Sequence, residues 1–170
     1  ENPELLVITS SACHLYCREA VHMLDIKERI GLLKLGTTWP LPPGLLETHL
    51  SKADNILIVE EVIPFLEENV KILAAEKAAT IGIKRFFGKR EGRLPGFNEL
   101  NPDLIADALA GILEINDEGV AADYSEKATQ TSFFNAPVRE MTFCPGCPHR
   151  ASFWSIHQVL QLDNRNGFVC

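Results

Sequence analysis

The stretch Leu5-Leu6-Val7-Ile8-Thr9-Ser10 is a run of apolar and β-branched residues, and it predicts a buried β-strand. Two similar runs lie at residues 30–35 and 55–59, and a fourth strand is predicted within residues 80–87. The runs are almost continuously apolar rather than alternating, as expected for strands that are covered on both faces. Together they predict the centre of a buried sheet.

Segments with helical periodicity separate these runs. The first begins after Ser10-Ser11, which offer an N-cap, and the third begins at Pro64. The last begins at Asn101-Pro102-Asp103, which combines a cap, a proline and an acid in one turn. Strands separated by helices pair in parallel through right-handed crossovers. We therefore predict that residues 1–115 form a three-layer α/β domain of the doubly wound type.

The rest of the chain is predicted to contain a loop, a linker and one further helix. Residues 88–100 are glycine-rich and charged, which indicates a surface loop, and residues 116–143 are polar without periodicity, which indicates a linker. A helix is predicted after Arg150. A strand starts the chain almost at once, and residues 167–170 resemble the opening of another, so we expect an internal piece of a larger protein.

Composition excludes several classes of protein. The chain has 170 residues, 46% of them hydrophobic, which is enough for a core. A net charge of −7 argues against nucleic-acid binding, and no apolar run is long enough to cross a bilayer. Five cysteines, with Cys13 and Cys17 one helical turn apart, favour reduced thiols in the cytoplasm over a disulfide framework. Those two are interpreted as small buried apolar residues.

The carboxyl ends of the predicted strands carry polar residues: Ser10-Ser11, Gly36-Thr37-Thr38 and Glu60-Glu61. Ligands of open parallel sheets gather at this edge, so a ligand or a partner domain is one interpretation. The favoured interpretation is that these residues cap the helices that follow. No glycine-rich loop follows the first strand, so a nucleotide site of the Rossmann type is not expected.

The motif Cys144-Pro145-Gly146-Cys147-Pro148-His149-Arg150 has three chemical interpretations. The two cysteines suit a redox dithiol, but the surrounding thioredoxin-like elements are missing. They also suit half of a zinc site, for which His149, hindered by Pro148, and His157 are further candidates. Finally, they suit part of an iron–sulfur site, for which Cys170 is the only later cysteine.

Five stretches, in order along the chain, resemble the 2-oxoacid:ferredoxin oxidoreductase family, most closely in its indolepyruvate branch. They are residues 33–42, residues 58–68, residues 87–95, residues 99–103 and the motif at 144–150. The resemblance implies that residues 1–115 are similar to the carboxy-terminal domain of transketolases. It also implies that residues 144–170 are the truncated start of a thiamine diphosphate-binding domain, after the linker at 116–143.

The resemblance implies an activity for the whole parent enzyme. The parent would oxidatively decarboxylate arylpyruvates to acyl-CoA with thiamine diphosphate, Mg and 4Fe–4S clusters, and would pass electrons to ferredoxin. Its partners would be a beta subunit, ferredoxin, coenzyme A and the arylpyruvate. Cys144 and Cys147 would be iron–sulfur ligands, and His149 would lie near a cofactor. The resemblance assigns no catalytic residue to this chain.

On this basis we expect the 170 residues alone to bind no cofactor and to be inactive. A different class of function stays open: a non-enzymatic, transketolase-like scaffold that docks a partner. A third interpretation is a small domain stabilised by zinc at Cys144, Cys147 and ligands from outside the chain.

Overall fold

The chain divides into two units, residues 1–119 and 120–170. The computed structural model describes residues 2–97, 99–115, 122–135, 143–163 and 167. Its strands are β1 (Leu5–Ser10), β2 (Ile30–Leu35), β3 (Asn55–Val59) and β4 (Arg85–Phe87). Its helices are α1 (Cys13–Met23), α2 (Pro43–Leu50), α3 (Phe65–Glu76), α4 (Ala78–Ile81), α5 (Pro102–Leu113), α6 (Ala122–Asn135) and α7 (Pro148–Asp163).

The four strands of the first unit form one sheet with the order β2-β1-β3-β4, and every neighbouring pair is parallel. The first three strands have the bounds that the apolar runs predict. The fourth is shorter than predicted, because Thr80 and Ile81 belong to α4, which ends at Gly82 with a φ of 77°. The prediction of an α/β fold with a parallel sheet is confirmed.

Helices cover both faces of this sheet. One face packs against α1 and α5 and the other against α2 and α3, so alternate residues of β1 enter different cores. Cys13 and Cys17 are buried in the first core, as predicted, with 3% and 0% of their surface exposed. The two cores explain why the strands are apolar on both faces.

Two helix starts turned out differently. At α5 the prediction is confirmed, because the Asn101 Oδ1 accepts a hydrogen bond of 2.9 Å from the Leu104 N–H. At α1 the predicted serine cap is wrong. The cap position is Ala12, without a side-chain hydrogen bond, and Ser11 has a left-handed φ of 51°. The tight turn out of β1 places both serines before the position from which a cap would act.

The segment at 88–100 is not simply a surface loop. Lys89 is 8% exposed, and Leu94 and Leu100 are each 1% exposed, so the segment inserts into the first unit. Its glycines and charges predicted exposure, whereas the burial of the two leucines in the core holds the segment against the first unit. Burying them adds apolar area beside α5.

The second unit is described by two helices. The predicted helix after the cysteine motif is α7, whereas α6 lies inside the stretch predicted as a linker. The polar sequence of α6 lacks an apolar stripe, which is the signal on which helix prediction depends. Within the described residues, no helix combines the length and apolar character needed to cross a membrane.

Replacing the cap of α5 by Asn101→Ala should lower the free energy of unfolding by about 1 kcal/mol, because the Leu104 N–H loses its acceptor. Urea denaturation followed by circular dichroism would measure the change. Asp107→Ala, at an exposed position within the same helix, is the control and should change stability by less than about 0.5 kcal/mol. Equal effects of the two substitutions would contradict the capping role.

Candidate functional site

The carboxyl end of β3 is tied to helix α3 by a buried carboxylate. The Glu60 oxygens accept hydrogen bonds of 2.6 Å from the Leu66 N–H and 2.8 Å from the Glu67 N–H. Glu60 is 7% exposed, so burial raises the pKa of its carboxyl, and the two backbone hydrogen bonds only partly oppose this. The predicted capping role is confirmed for Glu60.

A second carboxylate, Glu67, has none of its surface exposed and binds the turn after β4. Its Oε2 accepts hydrogen bonds of 2.8 Å from the Lys89 N–H and 3.2 Å from the Arg90 N–H. The Oε1 forms an ion pair with Lys71 one helical turn away. Both oxygens therefore have partners, which is the condition for burying a carboxylate at tolerable cost.

The remaining charged groups of this region also have partners. The Lys89 Nζ donates a hydrogen bond of 3.3 Å to the Val62 carbonyl, and the Glu61 Oε1 accepts one of 3.2 Å from the Leu100 N–H. Arg90 pairs with Glu68. We call Glu60, Glu61, Glu67 and Lys89 the carboxylate network. It fixes the loop after β3 against the segment at 88–100.

The same edge of the sheet exposes large apolar side chains, which the sequence analysis did not predict. Trp39, Val62, Ile63 and Phe65 are 69%, 74%, 63% and 38% exposed. The rings of Trp39 and Phe65 meet edge to face, with centroids 5.9 Å apart. We call these four residues the apolar edge. The predicted polar residues Ser11, Gly36 and Thr37 are exposed at this edge as well, so the edge is partly polar and partly apolar.

Val62 has a backbone φ of 67°, in the left-handed region. For a β-branched residue this conformation is strained, at a cost of roughly 1–3 kcal/mol, and it persists only where surrounding contacts impose it. The contact from Lys89 to the Val62 carbonyl is one such restraint. A second is the hydrogen bond of 2.8 Å from the Phe65 N–H to the Ile63 carbonyl.

The cysteine motif of the second unit forms a turn that leads into α7. The Cys147 N–H donates a hydrogen bond of 3.1 Å to the Cys144 carbonyl, and Gly146 between them has a φ of 72°. The Cys147 Sγ lies 3.5 Å from the His149 Nδ1, so Pro148 does not keep these two groups apart. Cys144 is exposed and Cys147 is half-buried.

The pKa of the Cys147 thiol reflects opposing effects. Burial raises it, but hydrogen bonds from the Cys144 side chain and from the His149 and Arg150 backbone outweigh burial and lower it overall. In the first unit, burial raises the pKa of Cys13 and raises that of Cys17 to about 12. Among the described cysteines, Cys147 therefore combines partial exposure with a lowered pKa, whereas Cys13 and Cys17 are buried.

The described residues do not form a complete metal site. An iron–sulfur cluster takes four thiolates, of which Cys144 and Cys147 could provide two. Among the described residues, no group of three or more histidine, cysteine or acidic side chains is placed to hold a metal ion. The His157 Nε2 lies 3.1 Å from the Gln161 Nε2, within α7. The motif by itself therefore matches half of a cluster's ligand set.

Comparison with known proteins finds relatives that match along most of the chain. No family model matches it. The chain is 31% identical over 158 residues to the indolepyruvate oxidoreductase subunit IorA of Methanothermobacter marburgensis, across 92% of its own length. It is 32% identical to IorA of Archaeoglobus fulgidus and 33% identical to IorA of Thermococcus kodakarensis, across 91% and 94% of its length.

These matches confirm the resemblance that the five sequence stretches indicate, because each of these relatives is an indolepyruvate oxidoreductase subunit IorA. The chain spans 23% of the length of the Methanothermobacter marburgensis and Archaeoglobus fulgidus subunits and 24% of the Thermococcus kodakarensis subunit.

Sequence reasoning missed the role of Glu67, Gly88 and Lys89, although it used all three as marks of resemblance. One signal was available for Glu67: it lies three residues before Val70 and seven before Ala74, on the buried stripe of α3. A carboxylate at such a position needs a buried partner. Which partner it finds depends on the turn after β4, and helical periodicity does not identify that turn.

Replacing Gly88 by alanine should destabilise the first unit by about 1–3 kcal/mol, because the new methyl group would overpack the Glu67 contact. A Cβ at Gly88 would lie 2.5 Å from the Glu67 Oε2. Urea denaturation would measure the effect. Gly96→Ala is the matched control, since a Cβ there meets nothing within 4 Å. A loss as small as that of the control would contradict the close approach.

The Glu60 carboxyl should titrate above its ordinary pKa of 4.5, since burial is the largest effect on it. Glu4 should titrate below 4.5, because it accepts a hydrogen bond from Arg29. A raised folded-state pKa means that Glu60 stabilises the fold most below the unfolded pKa. That contribution is lost as pH rises through the folded-state value. Carbon-detected NMR titration would assign both, and a Glu60 pKa at or below 4.5 would contradict the dominance of burial.

Proposed function

We propose that this chain is part of the IorA subunit of an indolepyruvate oxidoreductase. The observation that carries the proposal is the match to several IorA subunits along more than nine tenths of the chain. The full enzyme would oxidatively decarboxylate arylpyruvates such as indolepyruvate, form an acyl-CoA and reduce ferredoxin. A beta subunit would complete the enzyme.

Residues 1–115 would serve as the transketolase-like domain of that subunit. The parallel sheet with helices on both faces supports this assignment. Residues 116–143 would connect it to the start of the thiamine diphosphate-binding domain at 144–170. The chain's division into two units near residue 119 is compatible with this arrangement.

The cysteine motif would contribute to the cofactor region of the full enzyme. When bound, thiamine diphosphate stabilises the carbanion left by decarboxylation, and iron–sulfur clusters accept electrons. Cys144 and Cys147 would supply two cluster thiolates, with the others coming from elsewhere in the enzyme. The two backbone hydrogen bonds to Cys147 favour the thiolate that such ligation requires. His149, 3.5 Å from that sulfur, would border the cofactor.

The 170 residues alone should show no turnover. They offer two exposed or half-exposed thiols, and within the described ranges no three or more histidine, cysteine or acidic side chains are grouped to hold a metal ion. A non-enzymatic scaffold is the second candidate function, and the exposed apolar edge is the observation that favours it. The two candidates differ in their thiamine dependence.

The deciding experiment is an anaerobic assay of the full-length subunit with its beta subunit. We expect reduction of a viologen dye by indolepyruvate and coenzyme A, dependent on thiamine diphosphate and faster than with pyruvate. Faster reduction with pyruvate would support the same reaction but identify pyruvate as the preferred substrate. If a cluster-loaded, thiamine-bound preparation reduces no dye, the assignment as an enzyme is overturned and the non-enzymatic scaffold is favoured.

A variant tests the cysteine assignment without using activity. Cys147→Ser should remove one cluster's complement of iron and acid-labile sulfide from the full enzyme. Ser152→Ala, at an exposed position in the first turns of α7, is the control and should leave both unchanged. Unchanged iron in Cys147→Ser would exclude Cys147 as a ligand. Zinc in place of iron in the unmodified enzyme would favour a zinc site instead.

A further inference from the structure

The apolar edge differs from scattered exposed apolar residues such as Ile72 and Ile83. Val62, Ile63 and Phe65 are nearly consecutive, and Phe65 contacts Trp39 from the loop after β2. The surface is built from the segments that follow β2 and β3 at the carboxyl edge of the sheet, and the contact between Trp39 and Phe65 joins the two segments across the intervening β1. Contiguous exposed apolar surface of this kind marks an interaction site.

The fold holds this surface in place at an energetic cost. Val62 keeps a left-handed φ of 67°, and this conformation directs a side chain that is 74% exposed away from the core. The ammonium group of Lys89, a residue that is 8% exposed, donates a hydrogen bond to the Val62 carbonyl. Strain of this type is concentrated at sites of binding or catalysis. The loop is therefore shaped before any partner arrives.

The chemistry of the partner follows from the charges around the edge. Glu60 and Glu67 bind backbone N–H groups, Glu61 binds the Leu100 N–H, and Arg90 pairs with Glu68. Glu60 and Glu67 are buried, and Arg90 and Glu68 are partly exposed but paired with each other, so the outward groups without a charged partner are the apolar side chains. The complementary surface is accordingly apolar.

The length of the relatives indicates which part of the protein supplies the complementary apolar surface. About three quarters of the IorA subunit of Methanothermobacter marburgensis lies outside the region that this chain matches. A domain of the same polypeptide that covers an apolar edge can stay in place, because a large hydrophobic interface restrains the relative motion of domains. A pre-shaped surface made mainly of apolar side chains suits such a permanent contact.

We propose that the apolar edge is the docking surface for another domain of the same full-length subunit, one that lies outside these 170 residues. The proposal rests on the proposed function only in assigning the chain to an IorA-type subunit. Burial of Trp39 and Val62 by that domain then replaces water at the edge and holds the two domains together.

Hydroxyl-radical footprinting of the full-length subunit alone, without cofactors, tests the docking. We expect Trp39, Ile63 and Phe65 to be several-fold more protected, relative to their intrinsic reactivity, than Ile83. Ile83 is the internal reference, because it is 90% exposed and precedes the amino end of β4. Reactivity in proportion to the exposure seen here would overturn the proposal.

Two further measurements separate the possible occupants. Protection that rises with protein concentration would identify a second copy, and protection that appears only with the beta subunit would identify that subunit. Either outcome overturns docking within one chain. Because footprinting needs no turnover, an enzyme without indolepyruvate activity could still show a covered edge, and an active enzyme could show an open one.

A matched pair of variants gives an independent readout. Val62→Asp adds a charge to the edge without adding backbone strain, because aspartate tolerates the left-handed region. In the full-length subunit it should raise the oxidation of Trp39 several-fold and speed limited proteolysis between domains. Ile83→Asp should change neither. Equal behaviour of the two variants would overturn the proposal.

Discussion

The buried Glu67 carboxylate is the interaction on which the carboxyl edge of the sheet depends. Removing a carboxylate from water costs several kcal/mol unless its oxygens are hydrogen-bonded and paired. Here α3 supplies the carboxylate and Lys71, while the turn after β4 supplies two backbone N–H groups. The Glu67 carboxylate therefore lies so close to the backbone at position 88 that only a glycine fits there.

Because that turn is fixed, the segment leading to α5 is fixed as well. Lys89 then reaches the Val62 carbonyl, and Glu61 reaches the Leu100 N–H, so two segments distant in sequence hold one loop. The strained backbone of Val62 follows from these restraints. The apolar edge is thus a product of the carboxylate network rather than of the loop's own preferences.

Some parts of the molecule could be predicted from local sequence. Continuous apolar runs identify β1, β2 and β3, because strands in a parallel sheet are buried on both faces. Asn101 and Pro102 identify the start of α5, because capping acts within one helical turn. The cysteine motif identified the thiol pair, although the proximity of Cys147 and His149 required the turn at Gly146. The helix α6 was missed, since its polar sequence has no apolar face.

The sequence by itself determined the class of fold, the thiol pair of the cysteine motif and the relationship to the IorA subunits, because these depend on composition, short-range periodicity and ordered motifs. Only the tertiary structure decided what Glu60, Glu67 and Lys89 do, since the backbone groups to which they bind lie between six and 27 residues away. It also decided that Trp39 and Val62 share an exposed apolar edge. Long-range hydrogen bonds set those positions, and no local pattern records them.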